Sequence, residues 1–136
     1  MLCAALGWQA GAAQTAGAPT PADTVECVAA DGIDTVCRAD LNIYIGWRVF
    51  QAQCAMCHAA DANGSSFAPD LTQRMVGMTE RQFFTALDRG YLGPRSTMPP
   101  RGRDPNVAPY YDELWAYLKA RRDGVLPAGA VEPQPN

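Results

Sequence analysis

The chain holds one histidine, His58, and one lysine, Lys119, among 136 residues. A single imidazole excludes any centre that one chain would ligate through two histidines. Net charge is −3, so no excess of positive charge favours nucleic acid or an anionic membrane surface as a partner. No internal repeat is present. No segment alternates apolar and polar residues as a half-buried strand does, and the expected fold class is all-α. The longest apolar stretch, MLCAALGWQAGAAQTAGAPT, is too short and glycine-rich to cross a bilayer, so no membrane span is expected after processing.

What is present fits one globular domain with 48% hydrophobic and 18% charged residues. Acidity concentrates in Asp23, Glu26, Asp31, Asp34 and Asp40, and ten of the eleven basic residues are arginine. Residues 1–18 read as a signal peptide or its remnant, with Ala10-Gly11-Ala12 or Ala16-Gly17-Ala18 as the small-residue cleavage site, although a basic leading region is missing. Cys3 sits too near Met1 for a lipoprotein leader and is expected to leave with the signal. Residues 19–39 read as an extended N-terminal arm. Cys27 and Cys37 form an even pair there, either a structural disulfide of an oxidising compartment or two free thiols. Residues 40–124 form the compact domain, and residues 125–136 are expected to be a flexible tail.

Helix signals are clear within the compact part. Asp40 is a good N-cap for a helix running to about Gln53, with Ile43, Trp47, Phe50 and Cys54 on one face. Thr79-Glu80-Arg81-Gln82 is a capping box that opens a second helix ending at Gly90. A third is expected from Pro109, with Asp112 and Glu113 in its first turn, Leu114, Tyr117 and Leu118 inward, and Gly124 at its end. Loops rich in Gly and Pro, 59–70 and 90–108, separate them.

Cys54-Ala55-Met56-Cys57-His58 carries the chemistry. Two residues between the cysteines let one helical turn present both sulfurs to the two vinyl groups of a porphyrin, and the next residue brings an imidazole to the iron. C-x-x-C-H therefore reads as covalent attachment of one haem c. A thioredoxin-like redox pair would need a βαβ context, which is missing. A structural zinc site would need four Cys or His ligands in paired spacing, and Cys27 and Cys37 are poorly spaced for that.

His58 being alone, the distal iron ligand is a methionine, another side chain, water or nothing. Met56 lies inside the motif on the wrong face. Met75 lies within Leu71–Val76 and Met78 just after it, and core packing is the plain reading of both beside ligation. Met98, in Ser96-Thr97-Met98-Pro99-Pro100, lies forty residues past His58 in a proline-stiffened loop and is the favoured candidate. His/Met ligation keeps iron six-coordinate, which suits electron transfer and leaves no open position for oxygen or peroxide.

With these residues placed, the stretch from about Leu41 to Arg122 resembles the class I cytochromes c. The resemblance implies three main helices around one covalent haem, a glycine (Gly46) that lets the terminal helix cross closely, and an aromatic in Leu114–Lys119 packed at the crossing. It also implies that the Pro69 carbonyl accepts the other N–H of His58; Asp70, where asparagine is usual, departs from the pattern. Tyr44–Arg48, Gly64–Pro69 and the Met98–Pro100 loop look more narrowly like the cytochrome cL-like acceptors of quinoprotein alcohol or methanol dehydrogenases. That likeness implies a periplasmic electron carrier, not an enzyme, accepting from such a PQQ-dependent dehydrogenase and delivering to another cytochrome c or a terminal oxidase. Arg95, Arg101 and Arg103 flank the Met98 loop as docking residues, haem-propionate partners or a solvated rim. The rival readings are a haem peroxidase, or a redox or gas sensor, with an open or labile distal position.

Overall fold

A computed structural model describes residues 24–30, 34–94 and 97–135. The expected signal segment, Cys3 and Arg95 lie outside the described residues.

Helix α1 spans Leu41–Gln53, and the Asp40 carboxylate accepts the Ile43 backbone N–H at 3.0 Å, as the N-cap reading required. Its buried residues, Ile43, Gly46 and Phe50, recur every three to four positions and form one stripe. Helix α5, Tyr111–Arg122, buries Leu114, Tyr117, Leu118 and Ala120 against that stripe. The two cross at Gly46, where a Cβ would stand 1.9 Å from the Glu113 carbonyl oxygen, so only glycine permits this approach. Phe50 and Tyr117 fill the crossing with ring centroids 5.3 Å apart. Side chains of this size contribute roughly 1.5–3 kcal/mol each when fully buried.

Between α1 and α5 lie the one-turn helices α2 (Ala55–His58) and α3 (Leu71–Arg74), then α4 (Glu80–Arg89). The capping box at Thr79 and Gln82 is formed, and Gly90 closes α4. Phe83 of α4 meets Trp115 at 5.5 Å, and Phe84 meets Tyr111 at 5.5 Å, which seats α4 on α5. Pro109 opens no α-helix; it sits in a 3-10 turn, Ala108–Tyr110, and α5 begins just after it.

The fold is not all-α. Strands β1 (Glu26–Ala30) and β2 (Asp34–Ala39) form an antiparallel hairpin in which Cys27 faces Cys37, and these two are joined by a disulfide. Strands β3 (Tyr91–Leu92) and β4 (Thr97–Met98) form a second, two-residue ladder. The expected flexible tail instead carries β5 (Val131–Pro133), which pairs parallel with β2 so that Cys37 lies beside Val131. Cys37, Ala39, Leu126 and Val131 are all buried. Gln134 donates its backbone N–H to the Ala39 carbonyl at 2.9 Å and its side-chain amide to the Thr24 carbonyl. β1 and β2 escaped sequence reading because ECVAA and DTVCRA do not strictly alternate, and the other strands because two or three residues are too few to show a period; β2 and β5, besides, meet only through tertiary contact. No helix among the described residues is long and apolar enough to cross a membrane.

Candidate haem site

The site is built at the end of α1. Cys54 terminates that helix, with its N–H on the Phe50 carbonyl, and at once opens α2, where its own carbonyl accepts from Cys57 at 3.1 Å and His58 at 2.9 Å. One turn thus carries both thiols and the imidazole. Cys54 is half-buried and Cys57 exposed, and neither is in a disulfide. Burial pushes the Cys54 thiol up to about 11, with the Arg101 charge opposing. Such a thiol is neutral at pH 7, unlike the low-pKa thiolates of disulfide oxidoreductases.

His58 is 8% exposed. Its Nδ1 lies 3.0 Å from the Pro69 carbonyl oxygen, as the resemblance implied. Donation from Nδ1 fixes the tautomer that leaves a lone pair on Nε2, the nitrogen free to take a metal. The loop that delivers Pro69 folds back on the motif. Gly64 donates to the His58 carbonyl at 2.9 Å, and the Ser65 hydroxyl donates to the Cys57 carbonyl at 2.5 Å while accepting the Phe67 N–H at 3.0 Å. Asp70, the departure from the usual asparagine, is the N-cap of α3. Its Oδ1 accepts from the Thr72 hydroxyl at 2.6 Å and the Gln73 N–H at 3.2 Å, and the Thr72 bond leads in holding the carboxyl below its ordinary range.

Of the methionines, Met75 is buried in the core at 1% exposure and Met56 is 92% exposed. Met78 and Met98 are both partly buried against the core. Met98 stands on β4, away from the haem-motif turn in sequence, in a segment pressed onto the end of α4. A Cβ on Gly90 (φ +67°) would lie 2.3 Å from the Met98 carbonyl oxygen and 2.7 Å from Pro100 N, so glycine at that helix end lets the Met98–Pro100 backbone pass. Arg101 then donates its N–H to the Leu87 carbonyl at 2.7 Å and its guanidinium to Asp104 at 3.0 Å. Sequence reading left Arg101 as a docking residue, a haem-propionate partner or part of a solvated rim beside the Met98 loop; its electrostatic reach to Cys54 needed the fold. The serine hydroxyl under Cys57 carried no motif that could have announced it.

The donor set fits a haem. Among the described residues no group of three or more His, Cys, Asp or Glu could hold a bare metal ion. Two thiols one helical turn from an oriented imidazole instead suit a group that brings its own ring of iron ligands and needs two covalent anchors and one axial base. The class is that of proteins with covalently attached haem.

Comparison with known proteins agrees. A family model described as cytochrome C oxidase, cbb3-type, subunit III matches residues 42–118. The chain is 34% identical over 94 residues to cytochrome c-555 of Methylococcus capsulatus, covering 68% of this chain and 73% of that protein. It is 34% identical over 94 residues to cytochrome c-553I of Paracoccus denitrificans, covering 66% of this chain and 42% of that protein. Among solved structures it is similar to the c-type cytochrome XoxG from Methylobacterium extorquens AM1, with a TM-score of 0.66 and 30% identity over 74% of this chain and 62% of that one. The chain belongs to this cytochrome c family and is a class I c-type cytochrome. Its cofactor is covalently bound haem c, and Cys54 and Cys57 are compatible with the C-x-x-C-H attachment.

Proposed function

We propose that this mono-haem cytochrome is a periplasmic electron carrier that accepts electrons from a PQQ-dependent alcohol or methanol dehydrogenase and passes them to another cytochrome c or a terminal oxidase. The observation that carries the reading is the bond between His58 Nδ1 and the Pro69 carbonyl, which presents one oriented, basic nitrogen from a chain that has no second imidazole. Cys54 and Cys57 would anchor the cofactor, His58 would ligate it through Nε2, and Met98 would supply a second, thioether ligand. The haem iron, when bound, cycles between ferrous and ferric and so carries one electron at a time. With the haem bound, a fixed His/Met pair would keep reorganisation on electron transfer small and would leave no position open for peroxide or oxygen chemistry.

The Cys27–Cys37 disulfide favours an oxidising compartment such as the periplasm. The dehydrogenase assignment rests on the likeness of Tyr44–Arg48, Gly64–Pro69 and the Met98–Pro100 loop to cytochrome cL-like acceptors, and the likeness to XoxG, a c-type cytochrome, is in keeping with it. Docking would be small and short-lived, because turnover needs fast release.

Optical spectroscopy of the purified haem protein tests the carrier reading. A low-spin spectrum with a sulfur-to-ferric-iron charge-transfer band is expected. A high-spin ferric spectrum, or ready binding of carbon monoxide to the reduced protein, overturns it in favour of an enzyme or a sensor. Stopped-flow mixing of the oxidised cytochrome with a reduced quinoprotein dehydrogenase tests the donor, and no haem reduction on mixing would remove that assignment alone.

A further inference from the structure

The loop from Ala59 to Leu71 is held in a conformation that its own residues do not favour. Ala59 and Ala62 both adopt positive φ, 63° and 61°, a region that alanine seldom enters. Persistence of such angles requires surroundings that over-determine them. Internal bonds supply part of this. Ala62 donates to the Ala59 carbonyl at 3.1 Å, and Leu71 donates to the Ala62 carbonyl at 2.8 Å, with Ala62 fully buried.

The rest comes from outside the loop, on two adjacent carbonyls. Gln51 of α1 donates its side-chain amide to the Ala60 carbonyl at 2.7 Å. Arg121 of α5 grips the next one, with Nη2 at 2.8 Å and Nε at 3.3 Å from the Asp61 carbonyl oxygen. The third guanidinium nitrogen, Nη1, reaches the Leu126 carbonyl at 2.7 Å, and the Asp61 carboxylate accepts the Gly129 N–H at 3.0 Å. One planar cation therefore binds the loop to the segment that follows α5. The Tyr117 side chain lies close to the same groups: burial pushes its phenol up to about 12, Arg121 opposes and Asp61 reinforces the rise.

We propose that Arg121 is a positioning residue for the proximal histidine: by fixing the Asp61 carbonyl it sets the Ala62–Leu71 bond, and hence the place where the Pro69 carbonyl meets His58 Nδ1. The inference rests on the reading of His58 as the proximal ligand. A strong bond from Nδ1 raises the basicity of the imidazole and stabilises ferric iron. Loosening the loop weakens that bond, so the reduction potential rises.

The test uses the full haem-loaded chain and the Arg121→Gln, Arg121→Lys and Arg122→Gln variants. Two quantities are read: solvent exchange of the His58 Nδ1 proton, by proton NMR of the reduced protein, and the reduction potential. Arg121→Gln is expected to speed exchange at least tenfold and make the potential more positive. Arg121→Lys, with fewer donors, should fall between it and the parent. Arg122 contacts the Met75 carbonyl, Asp123 and the Trp115 ring but not the loop, so Arg122→Gln should lower the melting temperature and leave both readouts unchanged. If Arg121→Gln merely lowers the melting temperature, with parental exchange and potential, Arg121 is structural and the proposal falls. If Arg121→Gln does not fold, parental exchange in Arg121→Lys overturns the proposal equally. Loss of the porphyrin from the parent protein in acid-acetone would instead remove the underlying haem reading.

Discussion

Gly46 of α1 and the Glu113 carbonyl of α5 stand so close that a methyl group on Gly46 would lie 1.9 Å from the oxygen. The same Cβ would lie 2.5 Å from the carbonyl carbon and 2.9 Å from the Tyr117 Cβ, and none of these atoms can swing aside without moving a helix. Gly46→Ala should therefore force α1 and α5 apart and cost about 3 kcal/mol, at the upper end of ordinary overpacking. Thermal unfolding followed by circular dichroism measures it. An unchanged melting temperature would contradict the crossing described above.

Two methionines should answer differently to the same substitution. Met75 is buried at 1% exposure, and Met75→Ala should cost about 2–5 kcal/mol as a core truncation while leaving the sulfur-to-iron charge-transfer band intact. Met98→Ala should abolish that band and lower the reduction potential. Near-infrared absorption of the ferric protein decides between them, and the reverse pattern would transfer the ligand role to Met75.

The Cys27–Cys37 disulfide closes a loop with a sequence separation of 10. In the chain-entropy account, such a loop stabilises by about 3 kcal/mol. The Cys27→Ala, Cys37→Ala double variant should lose about that much, seen as a lower denaturant midpoint, with an unchanged haem spectrum because the hairpin lies outside the C-x-x-C-H turn. A spectral change on removing the disulfide would show that the sheet reaches the iron.

Stability should also fall on the alkaline side. Burial raises the folded-state pKa of Tyr117 from 10.0 to about 12. The folded protein then holds the phenol proton over a pH range in which the unfolded chain has released it. This contribution is complete below pH 10 and is lost as pH rises from about 10 toward 12. Tyr117→Phe should flatten that part of the stability profile, as read from denaturant midpoints across the range. A slope equal to the parent's would assign the alkaline loss to other groups, Tyr111 first, since burial and the Asp88 carboxylate raise it to about 12 as well.

Short-range chemistry was legible in the sequence. Asp40 and Thr79 announce their helices because a capping side chain bonds a backbone N–H only three residues on, and Gly90 and Gly124 mark the ends for the converse reason. The C-x-x-C-H turn was equally plain, since its geometry lies within one helical turn. The Pro69 bond to His58 came only through family resemblance, because the partners stand at a sequence separation of 11 across irregular loop. The N-terminal hairpin and β5 were missed for a related reason. A three-residue strand has no readable period, and its partner β2 lies more than ninety residues earlier in the chain.

By itself, then, the sequence determined that one imidazole and two thiols share a turn, that capped helices begin after Asp40 and Thr79, and that a second imidazole ligand from this chain is impossible. Tertiary structure alone decided that the chain's last residues close a sheet with the disulfide hairpin and that Arg121 reaches across to the Asp61 carbonyl. Local rules act through neighbouring backbone atoms and leave a mark at fixed spacing. Contacts between distant segments depend on where α5 lands on α1, and no spacing in the sequence records that landing.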